Sequence, residues 1–427
     1  MAIDLELIRK CYQQLKQNQI KYAVYQRYYD GKHDIFNSYA MNDGRSNMKV
    51  VVNYFKKFIN DEIAYSIGNP INYFSSVGDD SAIHNIDLNF SSWVKPHDQQ
   101  LLKEADIFGE AYEIEYINQD GEFRCSVLNP LNCFVLESGD AEKKVIMAVH
   151  EYRDNIFSKE KKIDVYVDNL ILHFDQSLTL LGEDEHLFPS VPIIVCRSNP
   201  EGKSMLDDIK SENDALNTNL SDATNESSDF RRAMLKVSGA SIEEEDVLKM
   251  KKSGVVIVPQ GGDVDYLIKN INDTFTQNLL NKHEANIYKM ASHIDTNEKL
   301  QSNTSGVALR SRLISLENKC ILLESMLEIA IKQRLKNFFF IQNLKSTTPI
   351  DYRTIKMKFT PNIPSDLTAT SDAISKLIGV VSQETLLSLL PFVENPKIEM
   401  EKFKAEQQAN RLIPDNANED DLYGSQG

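Results

Sequence analysis

Apolar residues recur at helical spacing in long stretches of the chain and at alternate positions in one block between them, which predicts an α+β unit followed by a mainly helical half. Asp4 caps a first helix whose face runs through Ile8, Tyr12 and Leu15 and which ends well before the turn Asp30-Gly31. Asn47 caps a second, with Val51, Phe55, Phe58, Ile59 and Ile63 on one side, closed by Gly68 and Pro70, and a third runs from Lys95 to Phe108 before Gly109. The period then drops to two. Tyr112, Ile114 and Tyr116 alternate with Glu113 and Glu115, Asp120-Gly121 turns the chain, and Phe123, Cys125 and Val127 return. Further strands are expected over 144–152, 162–167, 170–174 and 191–196.

From Ser204 the pattern is helical again, but the stripe Met205, Ile209, Leu216, Leu220, Phe230 is thin, so this helix is expected to pack on one narrow side and show much of itself to water. A small insert over 235–270 begins with strand 235–238, continues with a helix that Ser241 and Glu244 cap as a box and Gly254 ends, and closes with strands 254–258 and 264–268. A second helix, Asp273 to His293, carries Phe275, Leu279, His283, Ile287, Met290 and Ile294. The polar, aperiodic run 295–305 reads as an exposed loop. After it, Leu309, Leu313, Leu316, Cys320, Leu323, Leu327 and Ala330 repeat at four-three spacing, a rod of about 55 Å whose stripe reads as ordinary core. Strand 351–359, a joint at Pro361 and Pro364, three short helices and an acidic, disordered tail from Arg411 complete the chain.

Composition changes this picture by exclusion. The 427 residues bear a net charge of −16, so general DNA binding through a basic face is not expected. Charged residues interrupt every apolar stretch before a membrane span accumulates, and the first residues lack a secretory pattern, which places the chain in the cytoplasm. Five cysteines, Cys11, Cys125, Cys133, Cys196 and Cys320, form no C-x-x-C pair and read as free thiols; no cofactor or metal is expected. Gly202-Lys203-Ser204 echoes the end of a phosphate-binding loop, but Arg197 stands where its first glycine belongs and Pro200 removes an amide, so a nucleotide-binding enzyme is only the alternative reading. A monomeric helical adaptor is a second alternative. His283-Glu284 lacks the second histidine of a metalloprotease motif, and Phe338-Phe339-Phe340, a conceivable base-stacking platform, is expected in the core.

Six segments in order, QRYYDGKHDI (26–35), NYFKKFINDEIAYSIGNPINY (53–73), DIFGEAYEIEYI (106–117), VLNPLNCFVL (127–136), TSGVALRSRL (304–313) and SQETLLSLLPFV (382–393), resemble the portal proteins of siphophages infecting Gram-positive bacteria. The resemblance implies a non-enzymatic ring subunit, typically about twelve to a ring, at the capsid vertex through which DNA enters and leaves. It implies a wing (1–200 with 336–365), stem helices (203–234 and 271–293), a clip (235–270), a tunnel loop (294–305), a long helix (306–340) and a crown (366–410). The implied partners are other copies of the chain, the terminase packaging motor, the major capsid and scaffolding proteins, a head-completion or adaptor protein, and double-stranded DNA in transit; no membrane is implied.

Four groups of residues are assigned on that map. Asp207, Asp208, Glu212, Asp214, Asp222, Glu226 and Asp229 on the first stem helix form an acidic wall that repels the duplex. Asn297, Lys299, Gln301, Asn303 and Thr304 contact DNA weakly and reversibly. Glu243, Glu244, Glu245 and Asp246, followed by Lys249, Lys251 and Lys252, give the clip a split charge surface for partners. Leu309, Leu313, Leu316, Leu323 and Leu327 of the long helix are expected to pack against a neighbouring subunit, because the helical stripes exceed what a lone α+β domain can bury.

Overall fold

The computed structural model describes residues 4–41, 45–230, 234–238, 245, 262–267, 273–295, 306–344, 346–362, 367–390, 393 and 396–411. It divides into two units, residues 1–362 and 363–427.

In the first unit, α1 (Leu5–Tyr29) is capped by Asp4, whose carboxylate accepts from the Leu7 amide at 3.0 Å. It runs on to the turn it was expected to stop short of, because Tyr22, Tyr25, Tyr28 and Tyr29 extend its buried face. After the single turn α2 (Ile35–Ser38), the helix expected from Asn47 begins only at Tyr54 (α3, Tyr54–Ile67), with Asn53 as its cap. Residues 46–52 are extended instead. A short strand β1 (Asn72–Ser75) and helix α4 (Asp80–Phe90), capped by Asp79, follow; neither was expected. Helix α5 (Val94–Phe108) ends at Gly109, which has φ 92° and lies so close to Gly202 that a side chain there would meet the Gly202 carbonyl.

Two antiparallel sheets follow. The hairpin β2 (Glu110–Ile117) and β3 (Phe123–Leu128) turns at Gly121, and β9 (Ile193–Arg197) joins the other side of β2. Strands β4 (Cys133–Glu137), β5 (Val145–Tyr152), β6 (Lys162–Val167), β7 (Leu170–Asp175) and β8 (Leu180–Glu185) make a meander in chain order. Here β4 and β8 are additions to the expected set. Ile8, Cys11 and Leu15 of α1 cover this meander at Met147, Val149, Ile163, Val165, Leu172 and Phe174.

The helical half then begins with α6 (Leu206–Phe230) and returns as α7 (Asp273–Met290), with the antiparallel pair β10 (Met234–Ser238) and β11 (Asp263–Leu267) between them in the chain. The longest helix, α8 (Gly306–Asn343), ends in Phe338 and Phe339, both in the core as expected, while Phe340 is exposed. Strand β12 (Ile355–Lys358) pairs with β1. The second unit holds α9 (Leu367–Leu377), α10 (Gln383–Leu387), capped by Ser382, and α11 (Pro396–Arg411). All five cysteines are free and buried.

Candidate functional site

The two stem-type helices pack antiparallel, with Leu206, Ile209 and Leu216 of α6 against Ile287, Tyr288 and Ala291 at the far end of α7, and with Tyr54, Phe55 and Phe58 of α3. The polar residues of α6 are not all turned to water as its composition suggested. Asn213, Asn217, Ser221 and Asn225, spaced four apart, are completely buried and face the extended segment 46–52. Their side chains bond its backbone in register: Asn225 accepts from the Met48 amide at 2.7 Å, Ser221 from Val50 at 2.8 Å and Asn217 from Val52 at 2.9 Å. Asn225 and Asn213 also donate to the Met48 and Val52 carbonyls, and Asp229 accepts from the Ser46 amide. The fit is geometric. Two strand residues advance about 6.7 Å and four helix residues about 6 Å, so one helical row can mimic a partner strand over this length. Each bond satisfies a backbone group of a segment that has no strand partner of its own among the described residues.

That arrangement alters the acidic wall. Asp207 accepts from Tyr25 at 2.6 Å, Asp214 from Tyr28 at 2.9 Å and from Lys210, Asp222 from Tyr39 at 2.7 Å, and Asp229 from the Ser46 amide. Glu212 bonds His283 and Asn286 across to α7. Five of the seven acids thus hold the helix to its own chain, because Tyr25 and Tyr28 of α1, Tyr39 and Ser46 lie along one side of it and α7 along another. Asp208 is exposed and Glu226 half-buried.

Where α7 ends, a buried ionic cluster joins three other helices. Lys319 of α8 reaches Glu62 of α3 at 2.6 Å and the Ala291 carbonyl at 3.3 Å, and His293, stacked on Phe58 at 4.1 Å, bonds the same Glu62 oxygen at 2.6 Å. Burial raises Glu62 against the pull of Lys319, and burial together with Glu62 raises Asp106 of α5 well above the carboxylate range. The His293 imidazole is driven down to about 3 by burial and then by Lys319. These groups tie down Ala291 to His293, the residues entering the expected loop. Asn297, Lys299, Gln301, Asn303 and Thr304 themselves lie outside the described residues.

Along α8, Leu316, Cys320, Leu323, Leu327 and Ala330 are buried within the chain, and Leu323, Leu327 and Ala330 pack against Ile86, Phe90, Leu101, Ala105 and Ile194. Core packing within the chain therefore accounts for Leu316, Leu323 and Leu327 of the stripe, and a side chain already enclosed, as Leu327 is, offers no surface to a neighbour. Leu313 is half-buried and the Leu309 side chain lies outside the described residues. The opposite face bears Ile314, Ile321, Leu322 and Ile329, all exposed. Further along, Arg334 is enclosed and bonds Asp98 at 2.6 Å and Glu113 through Nε at 2.9 Å, while His97 bonds Glu113 at 2.6 Å. Burial opposes the Glu113 charge, but Arg334 and His97 outweigh it and hold the carboxyl down to about 2. Asn337 donates to Glu115, an acid that burial and then Glu113 raise. The alternation that predicted β2 did not reveal that Glu113 and Glu115 point inward.

Of the clip residues, Glu245 is described and exposed; Glu243, Glu244, Asp246, Lys249, Lys251 and Lys252 lie outside the described residues, as does strand 254–258. Gly202-Lys203-Ser204 makes a helix start and not a phosphate cradle: the Ser204 hydroxyl is buried, donates to the Ile107 carbonyl at 2.6 Å and accepts from the Leu206 amide. Among the described residues no helix is long and apolar enough to cross a membrane.

What these elements build is a scaffold, and the class of scaffold is the phage portal protein. Residues 8–411 match the family described as "Phage portal protein, SPP1 Gp6-like", and the chain belongs to that family. It is 22% identical over 435 aligned positions to the portal protein of Bacillus phage SPP1, covering 91% of this chain and 83% of that protein. The role is that of a portal in the phage capsid, structural and not enzymatic, and membership implies an oligomeric ring with capsid and packaging partners.

Proposed function

We propose that the chain assembles, in the host cytoplasm, into a ring of about twelve copies at one capsid vertex, a conduit for packaging and ejection of DNA. The motor and the head-completion proteins dock on the clip, 235–270. Stem helices 203–234 and 271–293 line the passage, loop 294–305 touches DNA transiently, helix 306–340 crosses the ring, 1–200 with 336–365 forms the wing and 366–410 the crown. The observation that carries this map is the antiparallel α6–α7 pair with β10–β11 inserted between them, rooted by the Glu62, Lys319 and His293 cluster where the loop departs. Asp208 is the acid of α6 best suited to face the passage, since it is exposed while five others are engaged within the chain.

The subunit contact belongs on the outer face of α8. Ile314, Ile321 and Ile329 are 54%, 58% and 60% exposed on one side of the helix, an apolar stripe that water does not favour and a neighbouring copy would cover. Ile321→Glu with Ile329→Glu should leave the fold intact and remove rings from negative-stain images and native mass spectra. Rings of normal mass from that double variant would place the contact elsewhere; no rings from the unaltered protein, with capsid protein present, would sink the portal-ring map itself. For the loop, deleting Lys299 to Asn303 should preserve rings and reduce packaged DNA, and an unchanged genome length and yield would remove the loop from the DNA path.

A further inference from the structure

A ring of identical chains joins two different surfaces of the subunit, so each subunit must carry both halves of a complementary pair. Two exposed surfaces of the first unit have that relation. One is β8, the edge strand of the meander, which among the described residues pairs on one side only, with β7, and has all six of its residues exposed. It begins with Leu180 and Leu181 and ends with Glu183, Asp184 and Glu185. An apolar edge strand invites pairing with another strand, and three consecutive acids repel an identical edge. The strand is therefore closed to its own kind and open to a surface that is apolar and basic.

The other surface is a groove of about 370 Å³ between α8 and the turn into β12, lined by Ile329, Lys332, Gln333, Tyr352, Arg353 and Lys356. Ile329 and Tyr352 give it an apolar floor and three cations give it a rim, in a chain whose net charge is −16. Lys332 keeps Glu328 at 2.5 Å and Arg353 keeps Asp351 at 2.7 Å. Lys356 projects from the exposed face of β12. The groove also continues the exposed apolar stripe of α8 through Ile329.

We propose that β8 of one subunit seats in this groove of its neighbour, with Leu180 and Leu181 on the apolar floor and Glu183 and Glu185 against Lys332 and Lys356. This deepens the ring assignment and rests on it. Such pairs lie at an exposed rim, so their effect is on choice of partner, register and salt sensitivity more than on affinity. Two experiments decide it. Glu183→Lys with Glu185→Lys, and separately Lys332→Glu with Lys356→Glu, should each raise the protein concentration needed for rings at least tenfold at moderate salt. The four-residue swap should restore it to within threefold, because the ring then meets the same pairs with signs exchanged. In the second, Glu183→Cys combined with Lys356→Cys should give, on mild oxidation of assembled rings, a ladder of covalent oligomers that either single variant lacks. Glu183, Glu185 and Lys356 are exposed and Lys332 is half-buried beside Glu328, so urea unfolding of each variant is measured first to show that the subunit still folds. Rings that form normally in both reversed variants, a swap that does not rescue, or the absence of a ladder from intact rings would each overturn the contact while leaving the ring standing. Normal rings with a defect only in capsid incorporation would assign β8 to the shell and overturn it equally.

Discussion

Two of the long helices of the first unit, α6 and α8, are buried by opposite means. Helix α8 sinks a row of leucines and phenylalanines into the core and neutralises an enclosed cation there, Arg334, with Asp98 and Glu113. Helix α6 sinks a row of amides and hydroxyls, each bonded to the backbone of the segment beside it. The first depends on apolar area, which tolerates small shifts; the second depends on directional bonds at a fixed spacing, which do not. A helix held by the second is fixed in register as well as in place. The ladder reads only backbone atoms, so the side chains of 46–52 are not what it recognises.

The sharpest way to break the α8 side is Arg334→Met, which preserves most of the volume and strands two carboxylates without a counter-charge. Removing one partner of a buried pair typically costs about 3–5 kcal/mol, and the variant should unfold at much lower urea concentration or fail to accumulate. A loss under about 1 kcal/mol in urea unfolding would mean that Asp98 and Glu113 simply take up protons and the network is dispensable.

What could be read in advance followed the same division. Helix α8, the β2–β3 hairpin, the Gly109 stop and the Ser382 cap were legible because each rests on local chemistry or on apolar periodicity. The start of α3 was misplaced because Val50, Val51 and Val52 continue a helical stripe, while their real partners, Asn217 and Ser221, stand over 160 residues away. Yet the signal was present: Asn213, Asn217, Ser221, Asn225 and Asp229 form an unbroken i, i+4 row of short polar side chains, a pattern that a merely solvated helix has no reason to keep. The acids of α6 were legible as a group and not individually, since the tyrosines that bond Asp207, Asp214 and Asp222 come from α1 and the segment after α2. For α8 the periodicity located the stripe correctly, but a stripe cannot say whether its partner belongs to the same chain.

The α6 side is tested by Asn217→Ala, which leaves the half-buried Val52 amide without its acceptor. An unsatisfied buried donor costs about 1–3 kcal/mol, and Thr218→Ala, one residue on and exposed, should stay within about 0.5 kcal/mol. Amide exchange at Val50 and Val52 should quicken in the first variant alone. Equal stability of the two would show that the ladder is incidental.

A smaller and pH-dependent effect distinguishes the cluster where the end of α7 meets α8 from the interiors of α6 and α8. His293 is enclosed and faces Glu62, Lys319, Asp61, Lys57 and Asp106, with its folded value near 3. Once unfolded its value returns to about 6.5, so between those limits the unfolded chain binds a proton that the fold does not. Stability from this group is complete above the unfolded value and is lost as the pH falls toward the folded one. Glu62 and Asp106 act with the opposite sign, because their raised values let the fold bind protons that the unfolded chain releases. Whole-protein stability therefore does not isolate the histidine, and the difference between the native chain and His293→Gln does. That difference should shrink by about 1 kcal/mol between pH 7.5 and pH 6, from the displacement of one proton equilibrium. The measurement is the urea midpoint at fixed protein concentration over that interval. A difference constant with pH would mean that His293 takes up its proton in the fold and that the Lys319 cluster opens before the helices around it do.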